Sequence, residues 1–163
     1  IARPLGMIRR YPVAAPSFLE GRQMPVTPAD IAAWPWLTLG TEVFGGARNI
    51  TLFNESGEEQ TLHVSPVLTA EGVTALREAA LLGLGVSPLP GWLVTEDLSA
   101  GRLVRMLPQW RARELPAHVV YPVQKGLPLR VWTLVDFMTE HVKELLARPC
   151  VCPGTGSNKQ GKS

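Results

Sequence analysis

Glu71 and Gly72 stand just before Val73, Leu76 and Ala80, whose spacing is that of one helix face. A helix start offers unpaired N–H groups and a partial positive charge, the ingredients of an anion or polar-ligand site. The simpler alternative is that Glu71 only complements the helix dipole. Thr69 is the expected cap, with Glu71 and Gly72 in the first turn and Gly83 closing the helix.

Other chemistry finds less support. Gly83-Leu84-Gly85 has the glycines of a phosphate loop, but it closes a helix and precedes a strand, the reverse of a dinucleotide cradle. Cys150 and Cys152 have no second pair, where zinc takes about four ligands. His63, His118 and His141 fall in different elements, so no metal site is expected. Ser17, Ser65, Ser87 and Ser99 lie in no nucleophile elbow. Asp30 reads as a capping residue, and Asp97 and Asp136 as solvated helix positions. The expectation is a protein that is not an enzyme and carries no cofactor.

The elements that would position Glu71 alternate in type. Residues 7–15 read as a strand, with Pro12 confining it to an edge or to a crossing between two units. A short helix follows at Pro16, and Thr27-Pro28-Ala29-Asp30 has the spacing of a capping box. Residues 36–39 form a compact apolar run, and Ile50, Leu52, Leu62 and Val64 flank Asn54-Glu55-Ser56-Gly57 as a hairpin. After the helix beyond Glu71, residues 86–89 read as a strand, 92–98 as a helix and 103–107 as a strand. This succession indicates α/β architecture with an at least partly parallel sheet. Residues 108–116 read as a polar connection and 117–121 as a strand. Val131, Leu134, Val135, Met138, Val142, Leu145 and Leu146 form an apolar stripe on a last helix. Residues 149–163 read as a disordered tail.

Composition narrows the class. Of 163 residues 45% are hydrophobic and 18% charged, enough to bury a core. The net charge of +2 leaves no dense basic patch for nucleic-acid phosphates. Fifteen Gly and fifteen Pro argue for short elements and many turns, against a helical bundle. No run is long and uninterrupted enough to span a bilayer, so no membrane partner is expected. Two cysteines and no evident leader point to a reducing, cytoplasmic home.

Residues 75–90, Ala-Leu-Arg-Glu-Ala-Ala-Leu-Leu-Gly-Leu-Gly-Val-Ser-Pro-Leu-Pro, resemble the most recognisable stretch of LysR-type transcriptional regulators. Trp92-Leu93-Val94-Thr95-Glu96-Asp97-Leu98, the opening Ile1-Ala2-Arg3-Pro4-Leu5-Gly6, Thr27-Pro28-Ala29-Asp30 and Val120-Tyr121-Pro122 fit in the expected order, over residues 1–147.

The resemblance implies the effector-binding domain of that family: two α/β lobes like a periplasmic binding protein, joined by two crossing strands. Residues 11–115 would be the second lobe. Residues 1–10 and 116–148 would belong to an incomplete first lobe, leaving the last helix's stripe to be covered by another chain, a missing segment or a rearrangement. The implied ligand cleft is lined by Ala15, Pro16, Gly40, Thr41, Glu71, Gly72, Val73, Val86 and Ser87. The implied partners are a small-molecule effector and further copies in a homo-oligomer. DNA would be reached only through an N-terminal winged helix-turn-helix absent here. A solute-binding protein of transport or signalling has the same implied shape and is the alternative.

Overall fold

The computed structural model describes residues 2–40, 46–121 and 128–148. Thr41 and the tail with Cys150 and Cys152 lie outside the described residues.

Two long strands organise the molecule. β1 (Ala2–Ala14) and β8 (Trp110–Val120) pair antiparallel from Ala2↔Val120 to Arg10↔Ala112. Beyond Arg10, β1 takes new neighbours, β6 (Ser87–Pro90) and β7 (Val104–Arg105). A hairpin of β3 (Asn49–Asn54) and β4 (Glu59–His63) joins β8, giving the order β4-β3-β8-β1-β6. Gly57, at φ +83°, supplies the left-handed position that its turn needs. β2 (Trp36–Leu39) and β5 (Pro66–Ala70) pair parallel, and Trp36 bridges to Val86 in the same sense. The architecture is α/β, its sheet mainly antiparallel with a parallel part.

Pro12 sits inside the sheet, between β6 and β7, without leaving a gap. It faces Pro88, so neither residue of that pair has a donor to lose, and its carbonyl accepts from Met106 N–H at 2.8 Å. Ahead of β2, α1 (Pro16–Leu19) and α2 (Pro28–Ile31) are single turns. The Asp30 carboxylate accepts from the N–H groups of Thr27 at 2.8 Å and Val26 at 3.0 Å. Those bonds hold its pKa below the usual carboxylate range.

Four local expectations need correction. Thr69 belongs to β5, and Gly72 takes the N-cap position of α3 (Val73–Leu81) instead. The strand expected over residues 103–107 shrinks to β7. Residues 110–116, read as a connection, are the first half of β8, where Trp110 and Ala112 are buried and arginines occupy the alternate positions. Asp97, on α4 (Gly91–Ser99), is fully buried rather than solvated.

Two apolar cores pack against the sheet. One gathers Ala14, Trp36, Ile50, Leu52, Met106 and Trp110 between β3, β4 and the short helices. The other gathers Tyr11, Val13, Leu37, Leu76, Leu89 and Val94 beneath α3 and α4. The helix α5 (Leu129–Ala147) lies instead on the early part of β1. Its expected stripe divides: Val135 is buried next to Thr139, which lies outside the stripe, with Val131, Val142 and Leu146 half-buried beside them. Leu134, Met138 and Leu145 face outward, because spacing admits two adjacent rows and β1 covers only one.

Candidate ligand cleft

Parallel pairing gives β5, β2 and the run into β6 a common direction, with Leu37 N–H donating to Val86 O at 2.8 Å. Their carboxyl ends therefore lie on one side, at Ala70, Leu39 and Pro90. The space beyond such ends is where open α/β sheets place ligands. Gly40 extends the β2–β5 ladder, its N–H donating to Ala70 O at 3.1 Å. Glu71 lies over it: a Cβ on Gly40 would stand 3.2 Å from Glu71 Oε1 and equally close to Thr69 Cγ2. Gly72, extended at φ −126°, then turns the chain into α3, whose first residue is Val73.

One residue earlier on β2, Thr38 points to the same side as Trp36. It lines a cavity of about 40 Å³ together with Arg10, Leu39, Asn49, Thr51 and Pro88. That space holds roughly three waters. Thr38 is 1% exposed, and its hydroxyl has no hydrogen-bond partner among the described residues. Such an orphaned group costs about 1–3 kcal/mol. Arg10, also buried, donates from Nε and Nη2 to the Arg113 carbonyl at 3.2 and 3.1 Å. Burial lowers its pKa to about 10, so it remains a cation at neutral pH.

The other expected cleft residues are placed differently. Val86 and Ser87 are fully buried at the amino end of β6, and Ser87 Oγ donates to Leu37 O at 3.0 Å. Pro88, further along the same strand, lines the cavity instead. Ala15 and Pro16 follow the end of β1, which runs antiparallel to β6 and so carries them away from the carboxyl ends. They adjoin Ser17, which packs against Gly83 at the far end of α3. Gly40, Glu71, Gly72 and Val73 are thus brought together, while Ala15, Pro16, Val86 and Ser87 are not.

The family described as the LysR substrate binding domain matches residues 1–143. The chain belongs to that family. It is 32% identical over 134 residues to the HTH-type transcriptional regulator PtxR of Pseudomonas aeruginosa, covering 80% of this chain and 41% of that protein. It is 32% identical over 155 residues to the uncharacterised HTH-type transcriptional regulator YhjC of Escherichia coli, covering 90% of this chain and 48% of that protein. Among solved structures, the CrgA regulatory domain of Neisseria meningitidis superposes with a TM-score of 0.73 at 27% identity. That match covers 87% of this chain and 68% of the domain. The chain therefore spans about half the length of the curated relatives it matches. These regulators do not favour the solute-binding alternative.

Sequence reasoning missed Thr38 and Arg10 in this LysR-type domain. Thr38 left a faint signal, a polar residue inside an otherwise apolar strand, whereas Arg10, next to Arg9 in β1, left none. Only packing shows that both side chains turn to one cavity. Among the described residues no helix is long and apolar enough to cross a membrane.

Proposed function

We propose that this LysR-type domain senses a small-molecule effector in the cleft at the carboxyl ends of β2, β5 and β6. The observation that carries the reading is Thr38: a buried hydroxyl without a hydrogen-bond partner among the described residues, lining a cavity beside a buried cation. An effector that accepts or donates at Thr38 would recover the cost of that orphaned group. The cavity is too small to enclose more than a few atoms. The rest of the effector would lie over Gly40, Glu71, Gly72 and Val73.

In this reading residues 11–115 form one lobe, and 1–10 with 116–148 form part of another, with β1 and β8 crossing between them. Effector binding favours one lobe arrangement and thereby shifts a homo-oligomer between states. DNA is contacted by a helix-turn-helix elsewhere in the parent protein, in the cytoplasm, and the domain performs no catalysis of its own.

A thermal-shift screen against a metabolite panel tests the reading. At a hundredfold excess over Kd, a bound effector stabilises by about 2.7 kcal/mol, a readily visible shift. Thr38→Val is expected to weaken that response without lowering the unliganded melting temperature, since the variant removes an unsatisfied hydroxyl. A panel in which nothing stabilises the protein would overturn the sensing reading.

A further inference from the structure

We infer that the effector of the cleft is a small amino acid, a carboxylate and an ammonium group in one molecule. This assignment rests on the sensing reading above and names the class of ligand that the same site would take.

The carboxylate belongs in the cavity beside Thr38. That cavity of about 40 Å³ has room for roughly three waters, close to the three heavy atoms of a carboxylate. Two arginines line it, Arg10 and Arg113, and no carboxylate does. Arg10 already donates twice to the Arg113 carbonyl, so its charge is engaged within the protein. Arg113 is exposed on β8, and its guanidinium makes no ion pair or hydrogen bond among the described residues. A carboxylate in the cavity would accept from the Thr38 hydroxyl, which lacks a partner among those residues, and would pair with Arg113.

The ammonium belongs at Glu71. Side chains alternate along a strand, so Gly40 faces the same side as Thr38, two residues or about 6.6 Å further on. Gly40 does not have a positive φ, so space rather than backbone conformation favours glycine there. A Cβ on it would stand 3.2 Å from Glu71 Oε1. The missing side chain lets Glu71 lay its carboxylate across the end of β2, on the face that Thr38 occupies. Glu71 is exposed, and it too has no ion pair or hydrogen bond among the described residues. An α-amino acid has a carboxylate oxygen and a nitrogen three bonds apart. It bridges that separation with one hydrogen bond of about 2.8 Å at each end. A purely anionic effector would suit Arg113 but be repelled by Glu71, and a purely cationic one the reverse.

Thermal-shift measurements and isothermal titration with the twenty proteinogenic amino acids and 4-aminobutanoate test the assignment. At least one of them is expected to bind. Its amide and its N-acetyl form, each missing one charge, are expected to bind at least tenfold more weakly. Glu71→Gln and Arg113→Gln, at exposed positions where folding is not at risk, are each expected to weaken binding about tenfold. An amide or N-acetyl form that binds as well as its parent overturns the assignment. So does amino-acid binding left unchanged by both Thr38→Val and Glu71→Gln, which would put the ligand outside the cleft. If no amino acid binds but an uncharged or purely anionic metabolite does, in a manner weakened by Thr38→Val, the amino-acid assignment falls and sensing stands. If neither set of compounds stabilises the protein, both fall.

Discussion

The helices α3 and α5 show how differently two amphipathic segments of one chain are held. The nine residues of α3 bury Leu76, Ala79 and Ala80 against the sheet. They are also clamped to α4, where Arg77 grips Asp97 with Nε at 2.6 Å and Nη2 at 2.9 Å. Arg102 Nε adds a bond to Asp97 Oδ1 at 2.8 Å. The nineteen residues of α5 bury only Val135 and Thr139. An exposed pair, Arg3 with Asp136 at 2.8 Å, ties that helix to β1. Surface pairs contribute about 0–1 kcal/mol. Length does not measure how firmly a helix is held; burial and desolvated pairing do.

The comparison breaks if changes under α5 prove as costly as changes in the body around β2. Trp36 is fully buried on the other face of the sheet from α3, and its Nε1 donates to Ile31 O at 2.8 Å. Trp36→Ala is expected to lose about 3–5 kcal/mol in urea denaturation. Asp97→Asn is expected to cost about 1–3 kcal/mol, since the buried side chain loses its charge-assisted hydrogen bonds to Arg77 and Arg102 while both guanidiniums stay within reach of water. Burial by itself would raise the Asp97 pKa, but hydrogen bonds from Arg77 and Arg102 outweigh it and hold the pKa below the carboxylate range. A lowered folded pKa means that the unfolded chain binds more protons in acid. The pair's contribution is therefore present above the unfolded carboxylate pKa of about 3.9 and lost as pH falls through the folded value. Denaturation series between neutral and acid pH should show a steeper acid limb for wild type than for Asp97→Asn.

Smaller effects sharpen the contrast. A Cβ on Gly85 would come within 2.5 Å of the Pro35 carbonyl oxygen, so Gly85→Ala should cost about 1–3 kcal/mol through overpacking. Val135→Ala, at the centre of the buried row of α5, should cost about 1–2 kcal/mol. Leu134→Ala, on the neighbouring outward row, should stay within about 0.5 kcal/mol. Equal costs for Val135→Ala and Leu134→Ala would mean that the helix is packed on both rows.

Much of the framework was legible from residues close together in the chain. The capping box at Thr27 and Asp30, the turn at Asn54-Gly57, the strand Trp36–Leu39 and the helix closed by Gly83 all depend on local backbone chemistry. Asp97 shows where that legibility stops. Its position on α4 says nothing of Arg77, twenty residues earlier, which approaches only when α3 and α4 pack side by side. The first half of β8 was hidden for a related reason. Its arginines at alternate positions resemble a polar connection until β1 and β3 supply neighbours.

The amino-acid order alone determined the alternation of helices and strands and the family resemblance. Periodicity, caps and turns act over a few residues, and the chain carries them wherever it goes. Tertiary structure alone decided which end of each strand faces the cleft. It brought Pro88 to the cavity that Thr38 lines, placed Val86, Ser87, Ala15 and Pro16 elsewhere, and left the Thr38 hydroxyl without a hydrogen-bond partner among the described residues. Strand direction and register are agreements between distant segments, so no window of sequence contains them.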